Sequence, residues 1–434
     1  MTTTELLALD ARHVWHPFTQ MQGWLEDQPL IIESAEGNWL IDTDGRRYLD
    51  AISSLWVTVH GHRKKQLDEA IRAQLDKVAH CTLLGQASVP SIELAARLVA
   101  LAPAGLTRVF YSDSGSTSVE IAVKMAYQYW QLTGRTEKRR FVALKEAYHG
   151  DTIGSVSVGG VDLFHERFRD LLFPVERIAV PTSLPSSLAE VEALFAAKAD
   201  TIAGFVVEPL VQGAAGMLMQ PEGWLSGVAA LCRKYDVLLI CDEVATGFGR
   251  TGTMFACEQE AVTPDLMCVA KGLTGGYLPL AATLASERIY SAFLGRFDEA
   301  KTFFHGHTYT GNPLACAVAL ANLALFESER TLERMIPAEA VLADGLERVA
   351  KLKHVKEVRR RGLMIGIELA RDGHTAYEFG ERMGFKACLA ARKHNVLLRP
   401  LGNVIVVMPP LSLTDTEARL IITALLEAIP SVTE

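Results

Sequence analysis

Two stretches decide the fold: VLLICDEVATGFGRTG at 237–252 and PDLMCVAKGLTGG at 264–276. Each contains five apolar residues that end at a charged residue, Asp242 in the first and Lys271 in the second. Such short apolar runs between polar or glycine positions are typical of buried strands in a parallel sheet. Because ligands of these sheets bind just beyond the carboxyl ends of the strands, we expect Asp242 and Lys271 to line a binding site.

An amine and a carboxylate at the rim of an apolar sheet suit one chemistry well. The lysine can form a Schiff base with an aldehyde cofactor, and the carboxylate can pair with a pyridinium nitrogen. Taken singly, Lys271 could be a solvated loop residue and Asp242 a helix cap or turn former. Their occurrence together, with Gly272 after the lysine and TGFGRTG after the acid, favours the chemical interpretation.

The motifs DEVATGFGRTG and AKGLTGG resemble the signature of the class III (omega) aminotransferases, which use pyridoxal 5'-phosphate (PLP). The resemblance implies that Lys271 binds the cofactor and that Asp242 pairs with its ring nitrogen. It also implies an α/β protein of PLP fold type I. We expect a large domain at 54–333, with a mostly parallel seven-stranded sheet, and a small α+β domain built from 1–53 and 334–434.

Length and composition agree with a globular enzyme. The chain has 434 residues, 49% of them hydrophobic and 22% charged, enough for one large and one small domain. The net charge of −8 argues against an extended nucleic-acid surface. No apolar run approaches the roughly 20 residues of a membrane span, and the N-terminus lacks the features of a signal peptide. Seven cysteines without a CxxC pair indicate reduced thiols, and we expect a cytoplasmic protein.

Other cofactor classes are disfavoured by spacing. The GxG at 247–249 lacks the further glycine and the acidic residue of a dinucleotide fingerprint. No Cys/His set has zinc spacing, so no metal site is predicted.

A phosphate site is predicted where the strand at 108–112 meets a Ser/Gly turn and a helical pattern. The free N–H groups and the positive end of the helix dipole favour an anion there. We assign Gly115 and Ser116 to the cofactor phosphate. An ordinary helix cap would explain Ser116 equally well, but the position of the turn ahead of Asp242 and Lys271 matches the family.

Three further cofactor contacts follow from the resemblance. Tyr148, after the strand at 140–144, corresponds to the aromatic residue that stacks on the pyridine ring, and Val244 would face the opposite side of the ring. A turn tyrosine is the alternative for Tyr148. Glu208, after the buried strand at 202–207, matches an active-site position of the family.

The loop FFHGHTYTGNP at 303–313 carries contacts that the family makes between subunits. The resemblance assigns His307 and Thr308 to the cofactor, Thr308 reaching the phosphate of the neighbouring subunit. It therefore implies a homodimer with active sites at the interface. Gly306 of the same loop is assigned to the substrate.

Within the family, HPFTQM at 16–21 and SSLWVTVHGHRKK at 53–65 resemble the 7,8-diaminopelargonate synthases of biotin biosynthesis. These enzymes aminate 7-keto-8-aminopelargonate, with S-adenosylmethionine or, in some members, lysine as amino donor. The substrate residues that this resemblance implies are Phe18, Leu55, Trp56, Tyr148, Lys271, Gly306 and Arg399.

Three positions depart from the best-known pattern of that subfamily and leave the donor open. Leu55 stands where many members have a tryptophan, and Phe18 and Val406 stand where tyrosines are common. A guanidinium in the apolar strand context of Arg399 must be paired, either with the substrate carboxylate or in a structural salt bridge. Other omega-aminotransferases, acting on diamines, ornithine or 4-aminobutyrate, and a PLP-binding protein without turnover are the remaining alternatives.

Overall fold

A computed structural model describes residues 1–27 and 29–434 of the chain. The strands are β1 Ile32–Glu36, β2 Trp39–Asp42, β3 Arg47–Asp50, β4 Leu106–Ser112, β5 Arg140–Leu144, β6 Val175–Ile178, β7 Ile202–Val207, β8 Val211–Gln212, β9 Leu218–Met219, β10 Leu238–Asp242, β11 Leu266–Val269, β12 Ala281–Ser286, β13 Val355–Arg361, β14 Met364–Leu369, β15 Val396–Leu397, β16 Arg399–Leu401 and β17 Val404–Val407. The helical segments are α1 Thr3–His13, α2 Met21–Glu26, α3 Ser53–Trp56, α4 Lys65–Leu75, α5 Val89–Leu101, α6 Gly115–Leu132, α7 Ile153–Val158, α8 Asp162–His165, α9 Leu184–Lys198, α10 Trp224–Lys234, α11 Glu287–Ala292, α12 Pro313–Ser328, α13 Thr331–Arg334, α14 Ile336–Val349, α15 Met383–Arg392 and α16 Asp415–Thr433.

The central sheet has seven strands in the order β4-β12-β11-β10-β7-β5-β6. β10 pairs in parallel with β11 and with β7, while β12 runs antiparallel to both of its neighbours. Every residue of β7, β10 and β11 is buried, which is why these strands are continuous apolar runs. The predicted α/β class with a mostly parallel seven-stranded sheet is confirmed.

The two ends of the chain meet in smaller sheets. β1, β2 and β3 form the predicted antiparallel meander, and β15 from the C-terminal region pairs in parallel with β3. A second sheet has the order β13-β14-β17-β16. The proposed division at 53 and 333 stays a prediction. No helix within 1–27 or 29–434 is long and apolar enough to cross a membrane.

The charge of the triplet Arg359–Arg361 predicts a solvated loop before a strand; this prediction is wrong, because the triplet lies in β13 itself. Arg359 is buried and donates from Nη1 to Glu357 and Glu368 and from Nη2 to the carbonyl of Gly216. These partners satisfy the guanidinium, so a charged residue is accommodated in a strand.

The sequence predicts a helix from about 376 to 393, and the observed helix is shorter, Met383–Arg392. Phe379–Glu381 forms a separate 3-10 turn, and Arg382 has a φ of 53°. A left-handed residue cannot continue a right-handed helix, so the helix begins only after it. The helices Thr3–His13 and Ile336–Val349 were not predicted from the sequence.

Arg250 ties three distant segments together. Its side chain is 1% exposed; Nη1 donates to Ser53 Oγ and the Pro409 carbonyl, and Nη2 donates to the Thr58 carbonyl. Burial lowers the pKa of Arg250 to about 10, and Asp50 opposes that shift. The N-terminal region, the central region and the C-terminal region are thus joined at one buried cation.

We expect Arg250→Met to lower the free energy of unfolding by about 2–5 kcal/mol, because buried carbonyl groups lose their donor. Urea denaturation and the melting temperature measure the loss. The matched control is Arg296→Met, which removes an exposed ion pair with Asp298 and should cost about 1 kcal/mol or less. Equal effects of the two substitutions would contradict the structural role of Arg250.

Candidate active site

A cavity of about 470 Å³ lies at the carboxyl ends of β10 and β11. Asp242 is the last residue of β10 and Lys271 follows β11 by two residues, and both line the cavity. The strands are parallel neighbours with Asp242 opposite Cys268. The sheet therefore brings the two predicted residues to one edge, as the apolar runs indicated.

The Lys271 amine is buried against the face of an aromatic ring. Its Nζ is 4.6 Å from the centre of the Trp56 ring. Burial lowers the pKa of Lys271 to about 8, whereas Asp242 and Glu208 act in the opposite direction and Arg250 adds to the lowering. An amine with this pKa is neutral in a substantial fraction of molecules near neutral pH, which nucleophilic attack requires.

Asp242 is held by two donors. Its Oδ1 accepts from the Val244 N–H at 3.0 Å, and its Oδ2 lies 2.7 Å from Nδ1 of His149. An ionised carboxylate only accepts, so the proton lies on Nδ1. The Nε2 atom of His149 is buried without a partner in the described part of the chain. From the sequence alone His149 could be a turn residue or a residue that supports the site, and its hydrogen bond to a partner 93 positions away favours the second.

The predicted phosphate site is the beginning of α6. Ser114 caps the helix by accepting from the Thr117 N–H, and Gly115 and Ser116 are its first residues. A Cβ on Gly115 would lie 2.5 Å from Cγ1 of Val244, so only glycine fits there. Ser116 Oγ accepts from the Thr152 N–H at 2.9 Å. This turn lines the cavity with free N–H groups at the positive end of the helix, which suits a phosphate.

Tyr148 and Val244 both line the cavity. The Tyr148 hydroxyl donates to Asp151 Oδ2 at 2.9 Å, and its N–H donates to Glu208 Oε2 at 3.2 Å. Burial, followed by the charge of Asp151, raises the pKa of Tyr148, so the phenol stays protonated. Asp151 therefore fixes the orientation of the ring.

Glu208 is buried at the end of β7 and joins two loops. Its carboxylate accepts from the Tyr148 N–H and, at 2.9 Å, from the Gly213 N–H. Burial raises the pKa of Glu208 to about 7; His149 lowers it and Asp242 raises it further. The side chain thus holds the Tyr148 turn against the Gly213 loop.

The predicted substrate residues fall in different places. Trp56 lines the cavity, and its indole N–H is buried without a partner in the described residues. Leu55 is 44% exposed and is not among the lining residues. Phe18 and Arg399 line a second cavity, which adjoins the first because the Phe18 ring lies 6.4 Å from the Tyr148 ring.

The residues assigned to the subunit contact are not brought to this cavity. Gly306 and Thr308 are exposed, His307 is partly buried, and none of the three lines the cavity within the single chain. His307 and Thr310 instead bond to each other within the loop. Their predicted role requires a second chain and stays a prediction.

A family model described as Aminotransferase class-III matches residues 22–429. The chain belongs to the class III aminotransferases. It is 56% identical to the adenosylmethionine-8-amino-7-oxononanoate aminotransferase of Nitratidesulfovibrio vulgaris, over 100% of this chain and 83% of that one.

Two solved structures have the same fold. The adenosylmethionine-8-amino-7-oxononanoate aminotransferase of Methanocaldococcus jannaschii superimposes with a TM-score of 0.98 at 46% identity, covering 99% of this chain and 100% of that one. An amine transaminase from an uncultivated Pseudomonas species, solved in the PLP-bound form, has a TM-score of 0.92 at 36% identity, covering 97% and 99%. The protein is therefore an aminotransferase with PLP fold type I.

The family implies dependence on PLP, and the cavity fits that cofactor. It offers an amine of lowered pKa, a buried carboxylate held by His149, and a helix start where glycine is sterically required. The aldehyde, the ring nitrogen and the phosphate each have a chemically matched partner in Lys271, Asp242 and the turn at Gly115.

The reaction of Lys271 with added PLP should report its lowered pKa. In cofactor-free protein the rate should rise about tenfold per pH unit below pH 8 and level off above it, since only the neutral amine reacts. The absorbance of the bound cofactor measures the rate. A rate that still rises through pH 10 would assign an ordinary lysine pKa.

Two variants complete this measurement. Lys271→Ala should give none of the absorbance of the lysine-linked cofactor at any pH. Asp242→Asn removes a charge that raises the pKa of Lys271, so the midpoint should move below pH 8. An upward shift of the midpoint of the rate-against-pH curve would contradict the conclusion that Asp242 raises the pKa of Lys271.

Proposed function

We propose that this aminotransferase aminates 8-amino-7-oxononanoate, also called 7-keto-8-aminopelargonate, to 7,8-diaminononanoate in biotin biosynthesis. Relatives that carry this substrate in their names support the proposal. The observation that carries it is Arg399: no carboxylate of the described residues lies within 4.0 Å of its guanidinium, and it lines an apolar cavity beside the Lys271 cavity. The carboxylate of a long-chain keto acid would pair with Arg399, and its aliphatic chain would lie along the apolar walls between Arg399 and Lys271.

Lys271 is the residue that handles the proton in this proposal. Its Nζ would hold the cofactor through the aldehyde and, when free, would take a proton from the donor carbon that bears the nitrogen. Bound PLP supplies an electron sink for the negative charge that this step leaves. A pKa of about 8 lets Lys271 accept and return the proton near neutral pH.

Asp242 keeps a proton on the ring nitrogen, because a buried anion there favours the protonated form. His149 holds Asp242 in place through Nδ1. Gly115 and Ser116 bind the phosphate, and Tyr148 and Val244 cover the ring. Glu208 positions Tyr148 by accepting a hydrogen bond from its backbone N–H.

We also propose the homodimer. Near Thr308 the chain exposes large apolar side chains: Phe304 is 80% exposed, Tyr309 62% and Leu84 73%. Leu55 is exposed beside the active-site residue Trp56. A second copy of the chain that covers these side chains would bring Gly306, His307 and Thr308 to the neighbouring active site. The cytoplasmic location stays a prediction.

The donor is either S-adenosylmethionine or lysine. Of the three positions that depart from the subfamily pattern, Phe18 lines the second cavity, whereas Leu55 and Val406 line neither the first nor the second. Val406 is fully buried and pairs with Arg399 across two strands, so its side chain supports the position of Arg399 rather than contacting a donor.

The test adds each donor separately to the purified, cofactor-loaded enzyme. We expect S-adenosylmethionine or lysine to bleach the cofactor absorbance, and 8-amino-7-oxononanoate to restore it with formation of 7,8-diaminononanoate, detected by mass spectrometry. Lys271→Ala is the control and should form no product. Bleaching by ornithine, a diamine or 4-aminobutyrate without recovery on 8-amino-7-oxononanoate would instead assign a different omega-aminotransferase.

A further inference from the structure

The second cavity, of about 660 Å³, lies between the segment around Phe18, the helix Met383–Arg392 and the strand Arg399–Leu401. Its walls are largely apolar. They include Phe18, Trp24, Phe385, Leu389, Leu397 and Pro400. Such walls accept an aliphatic chain, while the charge in the cavity decides what the chain must carry at its end.

Three arginines line this cavity, and they differ in their partners. Arg382 is 3.1 Å from the Asp27 carboxylate, and its guanidinium lies 4.0 Å from the centre of the Phe385 ring. Arg392 and Arg399 have no carboxylate within 4.0 Å in the described part of the chain. Nε of Arg392 is buried and lacks a hydrogen-bond partner there. Arg392 and Arg399 therefore line the cavity without an ion pair of their own, and Asp27, the carboxylate on the cavity wall, pairs with Arg382 and acts on Arg392 only at longer range.

Arg392 ends the helix Met383–Arg392, Arg399 begins the strand Arg399–Leu401, and these two adjacent elements both line the cavity. Burial raises the pKa of the Cys388 thiol, and both arginines oppose that shift. Cys388 precedes Arg392 by one helical turn and lines the cavity as well. Burial lowers the pKa of each arginine, but arginine remains charged at neutral pH.

We propose that Arg392 is a second anchor for the carboxylate of the keto acid and binds it together with Arg399. This inference rests on the proposed function. A carboxylate has about four lone-pair sites and accepts from two guanidiniums at once. Two partly buried cations that form no ion pair are costly, and an incoming carboxylate that pairs with both lowers that cost. Acceptor selectivity for a terminal carboxylate therefore depends on two residues from adjacent elements.

Binding of nonanoate to the cofactor-loaded enzyme tests the anchor without turnover. Titration calorimetry should give a dissociation constant roughly 10- to 100-fold higher for Arg392→Met than for the wild type, because a charge-assisted hydrogen bond is lost. Arg399→Met should show a similar loss. The matched control Arg382→Met, from the same cavity wall, should stay within about threefold because its exposed pair with Asp27 contributes little.

Nonanamide, which has the same chain without the charge, should bind wild type and Arg392→Met alike. Unchanged nonanoate affinity in Arg392→Met, or no nonanoate binding by the wild type, overturns the inference. Thermal denaturation checks that each variant is folded.

Steady-state kinetics separate this inference from the proposed function. Turnover of 8-amino-7-oxononanoate by the wild type tests the function alone. In Arg392→Met we expect KM for that acceptor to rise roughly 10- to 100-fold with little change in kcat. An unchanged KM with wild-type turnover rejects the anchor and leaves the function standing. A rise confined to the KM of the amino donor also rejects it, because Arg392 would then bind the donor's carboxylate.

Discussion

The site depends on an amine that must stay reactive among buried charges. Burial drives the pKa of Lys271 down, and Asp242 and Glu208 drive it up, so that it lies at about 8. Removal of both carboxylates would leave burial unopposed, whereas a more solvated amine would be largely protonated. The position of Lys271 just after β11, beside Asp242 at the end of β10, sets this balance. The rest of the fold keeps these strand ends in register.

The Trp56 ring is placed beside that amine by a strained backbone segment. Four successive residues, Ser53–Trp56, have φ values of 50°, 49°, 73° and 71°. Left-handed backbone costs roughly 1–2 kcal/mol per residue for residues other than glycine. Asp50 offsets part of the cost by accepting from the N–H and the hydroxyl of Ser54, and Arg250 donates to Ser53. The turn directs Trp56 to within 4.6 Å of Nζ of Lys271.

Local sequence patterns predicted those strands that need only apolar neighbours and no particular partner residue. The strands at 140–144 and 202–207 were predicted to the residue, because a buried parallel strand needs only apolar side chains between polar ends. The strand containing Arg359 was not predicted, because its charged residues form no apolar pattern. The groups that accept hydrogen bonds from Arg359 include Glu368 and the Gly216 carbonyl, which lie on other segments.

The same distinction applies to the site. Asp242 and Lys271 end apolar runs and could be found from the sequence. His149 could not be assigned, because its position behind Asp242 depends on the pairing order of the sheet. Thr308 lies outside the cavity of the single chain, so its role depends on a surface that a second copy must supply. Arg392 is the last residue of a helix, and only the three-dimensional structure shows that it lines the second cavity.

Chemistry and substrate choice therefore come from different parts of the chain. Asp242 and Lys271 belong to the central sheet, whereas Phe18, Arg392 and Arg399 come from segments near the two ends. Phe18 reaches the edge of the Lys271 cavity, because its ring centre lies 6.4 Å from that of Tyr148, which lines that cavity. A substitution in the cavity of the terminal segments can change the shape and charge offered to a substrate without moving the strand ends that set the pKa of Lys271. Within this architecture, a change of acceptor requires no rebuilding of the amine site.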